Sequence, residues 1–70
     1  MRTLPTIGMR IAIYWTEDHR WYQAKVLSVH SDGMARVCYD PDRARQPLRE
    51  RVFTHDLCDE RWRRVQSRFA

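Results

Sequence analysis

The sequence predicts an all-β domain, and three observations carry that prediction. Apolar and polar residues alternate with a period of two in several short stretches. Turn-forming residues separate those stretches, Ser31-Asp32-Gly33 most clearly. The nine residues Tyr14 to Tyr22 place two aromatic pairs on either side of five polar residues, so two strands meet there at a short polar turn. Seventy residues make one domain at most, and a core of that size leaves little room for a buried catalytic cleft.

Residues 1–6 read as a short lead-in that Pro5 keeps extended. The domain proper spans 7–65. Gly8 opens its first strand, in which Met9, Ile11 and Ile13 alternate with Arg10, Ala12 and Tyr14. Thr16 to Arg20 form the turn. The second strand, Trp21 to His30, carries Tyr22, Ala24 and Val26 on one face and Trp21, Gln23, Lys25 and Leu27 on the other. Rings, small residues and branched residues on one face suit the inside of a tight barrel.

After the Asp32-Gly33 turn, Met34 to Tyr39 form the third strand, with Ala35, Val37 and Tyr39 on one face. Asp40-Pro41-Asp42 ends it, because proline cannot donate to a ladder and the carboxylates favour turns. A basic loop runs from Arg43 to Gln46. Pro47 to Phe53 reads as a fourth strand at a sheet edge, with Leu48, Glu50 and Val52 opposite Arg49, Arg51 and Phe53. Thr54 to Leu57 reads as one helical turn capped by Thr54. Arg61 to Val65 is a brief last strand around Trp62, and 66–70 a flexible tail. A C-terminal helix from Asp56 to Phe69 is the alternative, since Asp59, Glu60 and the later arginines suit a helix dipole. Together these elements make a small, strongly bent, SH3-like antiparallel barrel of five strands with one short helical turn.

Composition excludes several function classes. Hydrophobic residues make up 43% and charged residues 31%, which suits a folded soluble domain and not a disordered tail. No apolar run approaches the roughly 18 residues of a membrane span. The N-terminus lacks the apolar core of a signal peptide. Cys38 and Cys58 form no disulfide framework, and the His55–Cys58 pair has no second pair with which to hold zinc, so no metal or cofactor is expected. His19, His30 and His55 fall in loops or strand ends as solvated residues, with no nucleophile or orienting carboxylate at catalytic spacing. No phosphate loop is present either. The chain therefore reads as a non-enzyme. Its net charge is +4, and twelve of its thirteen basic residues are arginine. Arginine suits bidentate contacts to phosphate and also stacks on rings.

The segments Gly8 to Val29 and Ala35 to Asp40 resemble a Tudor domain of the Royal superfamily of chromatin readers. The shared features are Gly8, an apolar strand ending at Trp15, a short polar loop, Tyr22-Gln23-Ala24-Lys25-Val26, the Asp32-Gly33 hairpin, and Val37-Cys38-Tyr39-Asp40. The resemblance covers about residues 8 to 57. It implies an aromatic cage for a methylated side chain, walled by Trp15, Tyr22 and Tyr39, with Asp40 or Asp42 as the carboxylate. It further implies a reader of methylated lysine, or of methylated arginine, in histone tails or other nuclear proteins. Such a module acts in the nucleus as part of a larger protein. The chain departs from the family pattern where Pro41 replaces an acidic residue and Arg43 stands where a fourth wall is usual.

Two other readings stay open on the residues alone. The three rings could close one end of the barrel as packing, leaving an interaction domain that docks through Trp62 and the C-terminal arginines. Alternatively Arg43, Arg45, Arg49 and Arg51, with Arg63 and Arg64, could contact the phosphates of DNA or RNA. Alternation turns Tyr14 and Trp21 away from the cage face, and Trp62 is expected to plug the bottom of the barrel or cover the fourth strand.

Overall fold

The computed structural model describes residues 3–42 and 46–65. They form one antiparallel sheet of five strands: β1 (Arg10–Trp15), β2 (Arg20–Val29), β3 (Met34–Tyr39), β4 (Val52–Asp56) and β5 (Trp62–Arg64). The spatial order is β4-β3-β2-β1-β5. A 3-10 turn at Leu48–Glu50 precedes β4. The all-β class is as the sequence predicts, and the arrangement is consistent with an SH3-like barrel. No helix among the described residues is long and apolar enough to cross a membrane.

The bend originates in β2, which at ten residues is the longest strand. Its first half pairs with β1, from Trp15↔Arg20 to Arg10↔Lys25. Its second half pairs with β3, from Ala24↔Tyr39 to Val29↔Ala35, with the register shifting between Val26 and Ser28. Such an irregularity tightens the local twist and turns the strand. Leu27, at the shift, faces solvent. Ala24 and Lys25 have ladder partners on both sides, and Val26 pairs with Val37 while bonding Gly8 and Met9 on the other side, so β1 and β3 lie largely on different halves of a curved strand. The curl is tight enough that Trp15 of β1 meets Phe53 of β4, their ring centroids 5.8 Å apart, although two strands separate β1 from β4 in the sheet.

Inside the curve lie Ile11, Ile13, Ala24, Val26, Ala35, Val37 and Leu57, all inaccessible to solvent. They are the inward residues of the alternating pattern, and each large one removed from water contributes about 1.5–3 kcal/mol. Trp62 packs against this cluster, and its indole N–H donates to the Leu57 carbonyl at 2.9 Å. That bond ties the turn after β4 to β5. β5 in turn pairs with β1 through Ile11↔Arg64 and Ile13↔Trp62.

Two elements differ from the sequence prediction. The predicted fourth strand over Pro47 to Phe53 holds a 3-10 turn at Leu48–Glu50 and is strand only at Val52 and Phe53, and the predicted helical turn at Thr54 to Leu57 belongs largely to β4. β4 pairs with β3 from Cys38↔Val52 to Met34↔Asp56. The reason is burial: Phe53, His55 and Leu57 alternate inward, and that gain outweighs the local preference of Thr54 for a cap. The alternative C-terminal helix is replaced by the tight turn at Asp56–Glu60 and by β5. The predicted tail 66–70 and the loop residues Arg43 and Arg45 lie outside the described residues.

The β2–β3 hairpin closes through His30 N–H to the Met34 carbonyl and Gly33 N–H to the His30 carbonyl. Gly33 adopts φ +92°, and a Cβ there would overlap the Cys58 thiol. Its carbonyl accepts from Leu57 N–H, so the hairpin also anchors the end of β4. Gly33→Ala is expected to lower unfolding stability by at least about 1–2 kcal/mol from the backbone conformation alone, measured as a shift in the urea midpoint. Adding Cys58→Ala should recover the part due to overlap and leave the part due to φ.

Candidate functional site

The end of the sheet where β1 enters its turn gathers the aromatic residues. Trp15 closes β1, Tyr22 is the third residue of β2, and Tyr39 closes β3. Trp15 and Tyr22 have centroids 6.4 Å apart and planes inclined at 84°; Trp15 and Tyr39, 6.0 Å and 66°; Tyr22 and Tyr39, 6.5 Å and 90°. The three rings named from the sequence thus converge. A fourth joins them: Phe53 stands 5.8 Å from Trp15 and 5.5 Å from Tyr39, inclined at 86° and 78°. The sequence reading placed Phe53 on a misplaced strand. The spacing Phe53, His55, Leu57 was the available signal, because it continues a period of two into the core.

These rings line a cavity of about 500 Å³, with Asp18, Asp40, Pro41, Asp42 and Glu50 around it. The edge of Trp21 reaches the same cavity. The carboxylates are not equivalent. Asp18 accepts the Tyr22 hydroxyl at 2.7 Å, and Asp40 is paired with the Arg10 guanidinium at 2.5 Å. The Asp42 carboxylate has no such partner among the described residues, while its backbone N–H donates to Gln46 Oε1. The two candidate carboxylates therefore divide: Asp40 is engaged in an ion pair, and Asp42 has none among the described residues.

Of the four arginines proposed for phosphate contacts, Arg49 is exposed on the 3-10 turn. Arg51 is half-buried beside the rings. Its Nη1 donates to the Tyr39 carbonyl at 3.3 Å, and its Nε is buried without a partner among the described residues. Arg43 and Arg45 lie outside the described residues.

Beneath the rings runs a chain of hydrogen bonds. Trp15 Nε1–H donates to the Tyr39 hydroxyl at 2.8 Å, and that hydroxyl lies 2.7 Å from His55 Nε2. His55 Nδ1 lies 2.9 and 3.0 Å from the two Glu60 oxygens. An indole N–H can only donate, so the Tyr39 oxygen accepts it and the phenolic proton needs another acceptor. With Nδ1–H donating to Glu60, a neutral His55 offers Nε2 as that acceptor, and every group in the chain is satisfied. This corrects the expectation for His55. It is a buried strand residue, 7% exposed, and not a solvated loop residue. It links Tyr39 to Glu60 in the β4–β5 turn.

Burial raises the Tyr39 phenol to about 12, with the Trp15 hydrogen bond pulling the other way because it favours the phenolate. The Tyr22 phenol is also raised, first by its hydrogen bond to Asp18.

Half of the chain, 35 residues, is 46% identical to Tudor domain-containing protein 1 of Danio rerio, and the match covers 3% of that protein. The chain thus corresponds to a small part of the relative it matches, and the match points to a Tudor-like domain. No family model matches the chain, and no solved structure gives a significant match.

Because the folded state holds the Tyr39 proton to higher pH than the unfolded chain does, stability is intact below about pH 10 and falls as pH rises from about 10 to about 12. Tyr39→Phe should remove that portion of the alkaline loss. It should also cost about 1–3 kcal/mol at neutral pH, since Trp15 and His55 each lose a buried partner. Urea midpoints of both proteins across that pH range check the two effects together.

Proposed function

We propose that this domain is a non-catalytic, Tudor-type interaction module that captures a methylated lysine in the cavity walled by Trp15, Tyr22, Tyr39 and Phe53. The observation that carries the reading is the convergence of four steeply inclined rings on a cavity that Asp42 also lines, its carboxylate without an ion-pair partner among the described residues. A methylated ammonium keeps its charge but loses most of its donors, so water solvates it less well than bare lysine. Ring faces, the negative side of the quadrupole, replace that water without needing donors. Each well-placed ring contributes on the order of 0.5–2 kcal/mol, which sums to micromolar and not nanomolar binding.

The inclined walls favour a compact cation over a flat one. A methylated guanidinium stacks best between two parallel rings, whereas Trp15, Tyr22 and Tyr39 are inclined to one another by 66–90°. Methylated lysine is therefore the first choice and methylated arginine the second. Asp42 can accept a proton still carried by a mono- or dimethylammonium, which favours those states over trimethyl. The rim of Asp18, Asp40, Asp42 and Glu50 attracts a basic peptide such as a histone tail. A nuclear setting and a larger parent protein follow from that choice of target. The Tudor-like match supports an interaction domain and not an enzyme.

Chemical-shift titration with peptides bearing unmodified, mono-, di- and trimethyl-lysine, and dimethyl-arginine, tests the reading. Tyr22→Ala and Phe53→Ala should each weaken binding about tenfold or more. Both rings are partly exposed, so the fold should survive each change, verified by circular dichroism. Asp42→Asn should narrow the gap between dimethyl and trimethyl forms. An equal response to modified and unmodified peptide sinks the proposal.

A further inference from the structure

The outer face of β5, β1 and β2 carries an array that the cage does not use. Tyr14 and Trp21 are opposite each other across β1 and β2, with ring centroids 5.4 Å apart in an edge contact. Arg63 of β5 pairs with Ala12, and the small side chain at 12 leaves room for the guanidinium to lie across the sheet, 4.3 Å from the Trp21 ring centroid. Arg61, two residues earlier, stacks over Tyr14 at 5.3 Å. Lys25 lies on the same side of β2, opposite Arg10.

The charges of this face differ in availability. Arg10 is committed to Asp40 and Gln23. Lys25 and Arg63 have no carboxylate partner among the described residues. Arg61 borders a cavity with Glu17, Asp59 and Glu60, which weakens its field but leaves it stacked. Stacking on a ring fixes the plane of a guanidinium without using any of its N–H donors. Arg63 thus sits over the Trp21 ring while its residue stays exposed to solvent. Alternate residues of a strand are about 7 Å apart, so Arg61 and Arg63 stand at a separation comparable to successive phosphates of an extended nucleic-acid strand.

We propose that this face binds single-stranded nucleic acid. A base stacks on the guanidinium of Arg63 as the next layer over Trp21, and Arg61, Arg63 and Lys25 contact phosphates along the strand. Bases stack readily on aromatic rings and on arginine planes, and such contacts tolerate any sequence. A duplex hides its base faces and gains only the charge contacts. An acidic peptide gains only charge contacts as well. Alternation puts this site on the opposite face of β1 and β2 from Trp15 and Tyr22, and it meets the methyl-lysine cavity at the Trp21 ring.

Fluorescence anisotropy on the whole chain, with labelled oligothymidine, oligouridine, a mixed-sequence duplex and polyglutamate, tests it. Both single strands should bind more tightly than the duplex or polyglutamate, and a preference between them identifies the natural strand. With three phosphate contacts the affinity should fall about 20-fold between about 50 and about 200 mM salt. Arg63→Ala should weaken binding at least about fivefold and reduce the salt slope by about 0.7. Tyr22→Ala should leave it unchanged. Lys25→Ala, an exposed and unpaired position, should reduce the slope by the same amount and serves if Arg63→Ala does not fold. The proposal is overturned if no single strand binds at low salt, if the duplex or polyglutamate binds as tightly, or if both Arg63→Ala and Lys25→Ala bind like the parent protein.

Discussion

The Tyr39 hydroxyl is the point on which the organisation of this small domain turns. A buried phenol must have its oxygen and its proton satisfied, and here one partner comes from β1 and the other from β4. Glu60, in the turn before β5, completes the chain through His55 and also accepts the Asp56 backbone N–H. Four of the five strands or their connections therefore converge on one row of polar atoms under the rings. In a domain too small for a large apolar core, such a row specifies how the sheet must close, because any other closure leaves polar groups buried and alone.

That closure also shapes the cavity that these rings line. Trp15 and Tyr39 are joined by one of these bonds with ring planes inclined at 66°, and Tyr39 and His55 by the next at 84°, so the residues of the floor also supply walls. Tyr22 and Phe53 then complete the enclosure from β2 and β4. Packing and recognition are not competing descriptions of these residues. Tyr39 and His55 serve the interior, while Tyr22 and Phe53 keep exposed surface. The shape of the cavity follows from their sharing one corner of the barrel.

Charge is sorted by location in the same way. The net charge of +4 conceals an acidic rim of Asp18, Asp40, Asp42 and Glu50 around the rings. Lys25, Arg61 and Arg63 lie on the outer face, away from that rim, where alternation along the strands directs their side chains. Strand periodicity therefore yields two surfaces of opposite character from a single sheet, an acidic end lined by rings and a basic face built on Tyr14 and Trp21.

Much of this was legible from residue order alone. Period-two alternation marked β1, β2 and β3, the Asp32-Gly33 turn marked their hairpin, and Trp62 marked β5. Because a side chain's face on a strand is a local property, the convergence of Trp15, Tyr22 and Tyr39 could also be anticipated. What could not be read was set by contacts distant in sequence. β4 takes Val52 to Asp56, and not the stretch from Pro47, because pairing with β3 buries His55 and Leu57. His55 is inside because Tyr39 and Glu60 supply partners, and Phe53 becomes a wall because the irregularity in β2 curls the sheet until β4 meets β1. Local pattern determined which residues could face inward. Only the closure of the barrel, by burying polar atoms that had to find one another, decided where each of them would stand.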